Sequence, residues 1–132
     1  DWAGNGCYRG EICYDESMFA VKTSEFYVSQ NVAHELGHGI DQLGGRQARG
    51  DLAAAMRGEI SLTRNAGGFA VGSGWQQNAS PAAGEVWADI FLGWTYGEWA
   101  TPSARDYASG MAKARYIEAN MPGVIALAIA GR

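Results

Sequence analysis

The stretch VAHELGHGID, Val32 to Asp41, contains both histidines of this 132-residue chain, His34 and His38. It lies within TSEFYVSQNVAHELGHGIDQLGG, residues 23–45, which begins with two residues that cap helices and ends with two glycines that terminate them. Between those ends, apolar residues recur at three- and four-residue steps: Phe26, Val32, Ala33, Leu36, Ile40 and Leu43. The pattern predicts an α-helix that carries both histidines and has one apolar face.

Further helix signals follow this stretch toward the C-terminus. A second helix is predicted from Asp51 to about Leu62, although Gly58 weakens its interior. Ser80-Pro81 and Thr101-Pro102 each place a proline directly after a capping residue, which predicts that a helix begins at each point. Pro122 is predicted to break the last of these helices and to start a short apolar one.

The N-terminal segment has the pattern of short strands. In EICYDESMFAV, residues 11–21, apolar side chains lie close together without a helical period, which predicts one or two strands. Cys7 and Cys13 flank a segment in which Arg9-Gly10 could form a hairpin turn, so we expect a disulfide. A disulfide would imply an oxidising compartment, and the alternative is two unpaired thiols that pack as small hydrophobic groups.

These elements predict one compact α+β domain over residues 1–132. It should be mostly helical, with a small N-terminal sheet or hairpin packed on the helix that carries the histidines. The chain length is typical of a single domain, and 47% hydrophobic and 18% charged residues are typical of a globular protein. The chain starts at Asp1 with neither an initiator Met nor a signal-peptide pattern, so we expect a mature or excised segment. The expected disulfide points to a secreted or extracellular protein.

Composition also excludes two classes of partner. The net charge is −4 and no Lys/Arg-rich run occurs, so the basic surface of a nucleic-acid binder is missing. The longest apolar run, VIALAIA at residues 124–130, is far shorter than the roughly 20 residues that span a bilayer. We therefore expect neither nucleic-acid binding nor a membrane span, and the sequence leaves the oligomeric state open.

The two histidines have the spacing of metal ligands. Residues four apart lie on one face of a helix, so His34 and His38 can direct their imidazoles at a single ion. Glu35 lies about 100° around the helix, where its carboxylate could hold and deprotonate a zinc-bound water. The alternative is that this short pattern arose by chance. A catalytic zinc would need a third protein ligand.

Two acidic residues compete for the place of the third ligand. Asp41 shares the face of the histidines, but residues 34 to 41 span about 10 Å of helix, whereas zinc bonds are about 2 Å long. Asp41 is therefore expected to support the ligands or to cap the helix. The better candidate is Glu85 in EVWAD, on a later helix that could cross the first. Asp89, one turn after Glu85, could accept the free N–H of a ligand histidine.

The combination of HELGHGID with EVWADIF, residues 85–91, resembles the gluzincin clan of zinc metallopeptidases. The most similar type is the catalytic domain of anthrax lethal factor, which the segment ARYIEANMPGVIALAI, residues 114–129, also resembles. The resemblance extends from about Tyr14 to the end of the chain, and only the histidine motif is highly specific. It implies a zincin-like fold that holds one zinc ion.

The resemblance also implies a role for each site residue. His34, His38 and Glu85 would bind zinc, and Glu35 would be the general base that activates the zinc-bound water. The strand around residues 12–19 would pair with a peptide or protein substrate in extended form.

One departure from the family concerns the residue that stabilises the oxyanion. Such domains have a tyrosine shortly before the third ligand, and residues 73–84 contain none. Tyr14, Tyr96 or Tyr107, or an Asn or Gln amide, could supply the hydrogen bond instead. The chain is also short on its N-terminal side, so part of the usual sheet is expected to be reduced.

We therefore expect a zinc-dependent endopeptidase. The main alternative is a catalytically silent zinc-binding domain that serves in interaction or regulation. A zinc hydrolase that acts on other bonds is a third hypothesis.

Overall fold

The computed structural model describes residues 2–3, 6–8, 12–14, 25–58, 62, 82–97, 99 and 107–131. The first eight of these residues and residues 25–28 are described by their backbone alone. Four α-helices make up most of this part of the chain: α1 Glu25–Leu43, α2 Gln47–Gly58, α3 Ala83–Tyr96 and α4 Tyr107–Ala130. Three short strands precede them: β1 Trp2–Ala3, β2 Gly6–Tyr8 and β3 Ile12–Tyr14.

The prediction of an α+β fold is wrong, because the described fold is all-α. The strands have only two or three residues each, whereas the helices have 12 to 24. Strands this short do not provide the hydrophobic face that a sheet needs to form a layer of its own. The buried apolar core is formed by side chains from the four helices together with Leu62.

The short strands pair in chain order, β1 with β2 and β2 with β3, both antiparallel. Cys7 lies directly opposite Cys13 in the pairing of β2 with β3. Opposed residues of antiparallel strands have Cα atoms about 4.5–5.5 Å apart, which is within the range that a disulfide spans. The Cys7–Cys13 disulfide stays a prediction, and the turn proposed at Arg9-Gly10 lies outside the described residues.

The main core cluster joins α2, α3 and α4. Its buried members are Ala48, Leu52, Leu62, Val86, Trp87, Ile90, Phe91, Ala112, Ile117, Met121 and Val124. Among the described side chains of α1, only the partly buried Ile40 packs against this cluster. Among the described residues, no helix combines the length and apolar character that crossing a membrane would require.

The buried face of α1 differs from the apolar face that the sequence predicts. Leu36 and Leu43 belong to the predicted apolar face, yet they are 42% and 40% exposed. The buried residues of the helix include four polar or charged ones: Gln30, His34, Glu35 and Asp41. Buried polar groups are costly unless they have partners. His34 and Asp41 have such partners on α3 and α2, Asp89 and Arg49.

Helix α1 ends at Leu43, as the Gly44-Gly45 signal predicts. The N–H of Gly45 donates to the carbonyl of Gln42 at 3.0 Å, and the N–H of Arg46 donates to the carbonyl of Asp41 at 2.7 Å. These two bonds form a Schellman motif. Gly45 has a φ of 68°, the left-handed conformation that this motif requires and that glycine adopts without strain.

Helix α2 begins at Gln47, four residues before the predicted start at Asp51. The tight turn after α1 allows the next helix to begin at once, and a side chain from α1 supports its first turn. Oδ1 of Asp41 accepts the backbone N–H of Arg49 at 2.9 Å. This N–H is one of those that have no partner within the helix, so the contact stabilises the early start.

Helix α4 continues through Pro122, so the predicted break at this residue is wrong. Proline removes one hydrogen bond of the helix, but Pro122 is exposed, and water can satisfy a carbonyl that faces solvent. Met121 before the proline and Val124 and Ala128 after it are all buried. Their packing holds both halves of the helix against the core.

Candidate metal centre

His34 and His38 lie one turn apart in the middle of α1 and face the same side of the helix. Their ring centroids are 4.9 Å apart, and the rings are nearly perpendicular, at 85°. His34 is buried, with 3% of its side chain exposed, and His38 is partly exposed at 12%. The helix geometry that the sequence predicted for the two imidazoles is therefore present.

Glu85, in the first turn of α3, lies between the two histidines. Its Oε2 is 3.4 Å from Nε2 of His34, and its Oε1 is 3.6 Å from Nε2 of His38. These distances exceed the usual hydrogen-bond range of about 2.7–3.2 Å. Two ligands of a tetrahedral zinc ion, with bonds of about 2.0–2.1 Å, lie about 3.3 Å apart. The two distances from Glu85 to the histidines are therefore close to the separation of two zinc ligands and longer than a direct hydrogen bond.

The three side chains form a group that could hold a metal ion. Each offers one ligand atom, and these atoms of His34, His38 and Glu85 all lie within 4.8 Å of one another. Oε2 of Glu85 is buried and has no hydrogen-bond partner among the described residues. A buried carboxylate oxygen without a partner is costly, and a divalent cation at this position would satisfy it. The residues present therefore fit a metal ion.

The protonation of these groups reflects their contacts. Burial lowers the pKa of His34, but its hydrogen bond with Asp89 and its contact with the Glu85 carboxylate outweigh burial and raise the pKa to about 9. The contacts with His34 and His38 hold the pKa of the Glu85 carboxyl well below its usual range. Without metal, the site thus favours a proton on His34 and a charged Glu85, and a metal ion would replace that proton.

Asp89 supports His34 from the opposite edge of the imidazole ring. Its Oδ1 lies 2.9 Å from Nδ1 of His34, and the contact is buried. Asp89 follows Glu85 by one turn of α3, so the two carboxylates reach the two ring nitrogens of the same histidine. When Nδ1 carries the proton and donates to Asp89, Nε2 is free to bind a metal ion.

Glu35 follows the first histidine directly and is buried, with an exposed fraction of 5%. It is close enough to contribute to the raised pKa of His34 through its charge. The group of potential ligands comprises His34, His38 and Glu85 and leaves Glu35 outside it. The role of Glu35 as a general base for a metal-bound water stays a prediction.

The partner of Asp41 is Arg49 of α2. It is fully buried, and both of its carboxylate oxygens accept hydrogen bonds from Arg49, Oδ1 from the backbone N–H and Oδ2 from Nε. The guanidinium of Arg49 lies beside Gly84, where an added Cβ would be 3.3 Å from Nη1. Asp41 therefore ties the end of α1 to α2 and, through Arg49, to the first turn of α3.

The tyrosines proposed as oxyanion stabilisers lie in three different places. Glu85 is in the first turn of α3, and Tyr96 is the last residue of this helix, which places it about 16 Å further along the axis. Tyr107 is the first residue of α4 and is 37% exposed. Tyr14 ends β3, which is described by its backbone alone. The role stays a prediction for Tyr14 and Tyr107, and Tyr96 is remote from the ligands.

Sequence reasoning missed the contact between Gly37 and Trp87. The indole Nε1–H of Trp87 donates to the carbonyl of Gly37 at 2.9 Å, between the two histidines in the sequence of α1. Nothing in the sequence pairs these two residues, because tryptophan in an apolar helix is usually a core residue. The only sequence feature that could have indicated a close contact here was the glycine inside the histidine motif.

Comparison of the chain with protein-family models, with curated proteins and with solved structures finds no match. The geometry of the three candidate ligands, together with the sequence motif that provides them, is what supports a function for this protein.

Proposed function

We propose that this protein is a zinc-dependent endopeptidase. The proposal rests on the proximity of three potential ligand atoms. These atoms belong to His34, His38 and Glu85 and lie within 4.8 Å of one another. Two histidines and one glutamate, with a fourth position open for water, are a known ligand set of catalytic zinc. Imidazole also suits other transition metals, so the ligand chemistry favours zinc without excluding them.

The zinc ion, Glu35 and Asp89 would each have a separate role in peptide hydrolysis. A bound zinc ion would act as a Lewis acid and lower the pKa of its water. Glu35 would accept the proton of that water and return it to the leaving amine of the peptide. Asp89 would hold His34 in the orientation and tautomer that keep Nε2 available, through the contact at 2.9 Å.

The partly exposed ligands indicate where substrate would approach. His34 is nearly closed off from solvent at 3% exposed, whereas His38 and Glu85 are 12% and 20% exposed. A water or a peptide carbonyl would therefore reach the metal from the side of His38 and Glu85. The proposed substrate is a peptide or protein segment in extended form, as the resemblance to gluzincins implies. The opposed positions of Cys7 and Cys13 are compatible with an oxidising, extracellular location.

A second candidate function is a metal-binding domain without turnover. The observation that favours it is the burial of Glu35, of which only 5% is exposed. A general base must reach the water that attacks the substrate, and burial restricts that access. In this case the metal would stabilise the contact between α1 and α3, and the domain would serve in interaction or regulation.

The experiment that separates these functions is turnover of a mixed peptide library by protein loaded with one equivalent of zinc. We expect new peptide N-termini by mass spectrometry, none of them with protein stripped by a chelator, and recovery after zinc is restored. Binding of zinc without cleavage of any peptide would favour the second candidate. Hydrolysis of simple esters without peptide cleavage would instead indicate a zinc hydrolase of another class.

A further inference from the structure

Gly37 and Trp87 form a close contact between α1 and α3. The indole Nε1–H of Trp87 donates to the carbonyl oxygen of Gly37 at 2.9 Å. Trp87 is fully buried, so this hydrogen bond satisfies a donor that has no access to water. Gly37 lies just before His38, and Trp87 lies two residues after Glu85. The contact therefore joins the two helices directly beside the candidate ligands.

The absence of a side chain at Gly37 allows this close approach. A Cβ atom at this position would lie 3.0 Å from Cα of Ala88 and 3.0 Å from Cβ of Phe91. Neither atom can rotate away, because one belongs to the backbone of α3 and the other is fixed to it. Any side chain at position 37 would therefore push α3 away from α1 by at least a few tenths of an ångström.

We propose that Gly37 and Trp87 are positioning residues that set the distance of Glu85 from His34 and His38. The inference rests on the proposed metal site and goes beyond it, because neither residue is a ligand. Metal–ligand distances tolerate deviations of only about 0.2 Å. A displacement of α3 by a few tenths of an ångström would thus be enough to weaken the bond from Glu85.

The first test compares Gly37→Ala with Gly50→Ala. Both replace a glycine within a helix, where alanine is the better helix former by about 1 kcal/mol. Position 50 has open space, with nothing within 4 Å of an added Cβ. We expect Gly37→Ala to weaken zinc binding at least tenfold in a chelator competition, and Gly50→Ala to leave it unchanged. Equal zinc affinities of the two variants would overturn the inference.

The second variant, Trp87→Phe, keeps an aromatic ring in the core and removes the N–H donor together with one ring of the indole. Loss of one hydrogen bond of ordinary strength corresponds to about a threefold to tenfold weaker affinity for zinc. This variant keeps the inference testable if Gly37→Ala fails to fold. Cobalt(II) provides the spectroscopic test, since its visible absorption weakens when a protein ligand is replaced by water. Trp87→Phe with the cobalt spectrum and zinc affinity of the wild type would contradict the proposal.

A double mutant separates positioning from a general structural role. If Gly37 acts through Glu85, Gly37→Ala should weaken zinc binding when Glu85 is present. In a Glu85→Ala background, where two histidines still hold the ion weakly, the same substitution should cause no further loss. Additive losses would refute positioning. Zinc binding without peptide cleavage by the wild type would refute the peptidase and leave this inference standing. Failure of the wild type to bind zinc or cobalt would refute both.

Discussion

The Oδ1 atom of Asp89 lies 2.9 Å from Nδ1 of His34, so one residue of α3 orients a histidine of α1. The other ring nitrogen, Nε2, lies 3.4 Å from Oε2 of Glu85, one turn earlier on the same helix. This arrangement links the choice of tautomer at His34 to the packing of the two helices. The contacts of Glu85, Asp89 and Asp41 therefore predict how strongly each residue affects zinc binding.

The three acidic residues should affect zinc binding to different degrees. Glu85→Ala removes one of the three proposed ligands and should abolish stoichiometric binding at micromolar zinc. Asp89→Ala removes the support of His34 and should weaken binding by about 10- to 100-fold. Asp41→Ala should leave zinc affinity largely intact, because Asp41 pairs with Arg49. Metal titration of the three variants checks the order, and loss of zinc in Asp41→Ala with retention in Glu85→Ala would reverse the ligand assignment.

Glu35→Gln should separate metal binding from catalysis. The amide keeps the shape of the side chain but cannot accept the proton, so hydrolysis should fall by orders of magnitude. Zinc content, measured by atomic absorption, should stay near one ion per chain. Glu118→Gln is a suitable control, because this glutamate is exposed on α4. Undiminished peptide cleavage by Glu35→Gln would show that another group activates the water.

Zinc affinity should rise with pH. The pKa of His34 in the metal-free protein is raised to about 9, and zinc binds only the neutral imidazole, so binding displaces a proton. Between pH 6.5 and 8.5 we expect the apparent affinity to increase about tenfold per pH unit. Chelator competition at several pH values measures this slope, and a flat profile would mean that His34 is already neutral.

The raised pKa of His34 also predicts how the stability of the metal-free protein depends on pH. A pKa raised above the unfolded value of 6.5 means that protonated His34 stabilises the fold fully below pH 6.5. This contribution should be lost as pH rises through about 9. Thermal unfolding in the presence of a chelator should therefore show a falling Tm across this window, and a Tm that rises instead would contradict the assignment.

Arg49→Met should destabilise the fold by about 3 kcal/mol. The substitution keeps most of the side-chain length but leaves the fully buried Asp41 carboxylate without its charged partner. Arg57→Met, at an exposed position near the end of α2, should change stability by only about 0.5 kcal/mol. Urea denaturation of both variants measures the difference. Similar stabilities would mean that the Asp41–Arg49 pair contributes little.

Gln30→Met should stabilise the protein. Gln30 is fully buried, one turn before His34, and within the part of the chain that the structure describes neither atom of its amide has a hydrogen-bond partner. Replacing such a group with an apolar side chain of similar shape removes a penalty of about 1–3 kcal/mol. A higher Tm with unchanged zinc affinity is the expected result. A loss of zinc affinity or of peptide cleavage would show instead that the amide serves the site.

The helix elements were predictable because their signals are local. Gly44-Gly45 marks the end of α1 through a conformation that glycine adopts without strain, and the segment after Pro81 forms α3 at Ala83–Tyr96. The start of α2 at Gln47 was not predictable in this way. It depends on Asp41, a side chain of another helix, whose contact with Arg49 has no counterpart in the local pattern. The uninterrupted course of α4 through Pro122 likewise depends on packing against the rest of the core.

The sequence by itself determined the pair of histidines on one helix face, because a spacing of four residues fixes their relation whatever surrounds the helix. It also identified Glu85 and Asp89 as a pair of acids one turn apart. Only the tertiary structure decided that the fold is all-α and that Glu85 lies 3.4 and 3.6 Å from the two histidines. Glu85 can lie this close to the histidines because Gly37 has no side chain to hold α3 away. The distance between two helices is a property of packing rather than of local sequence.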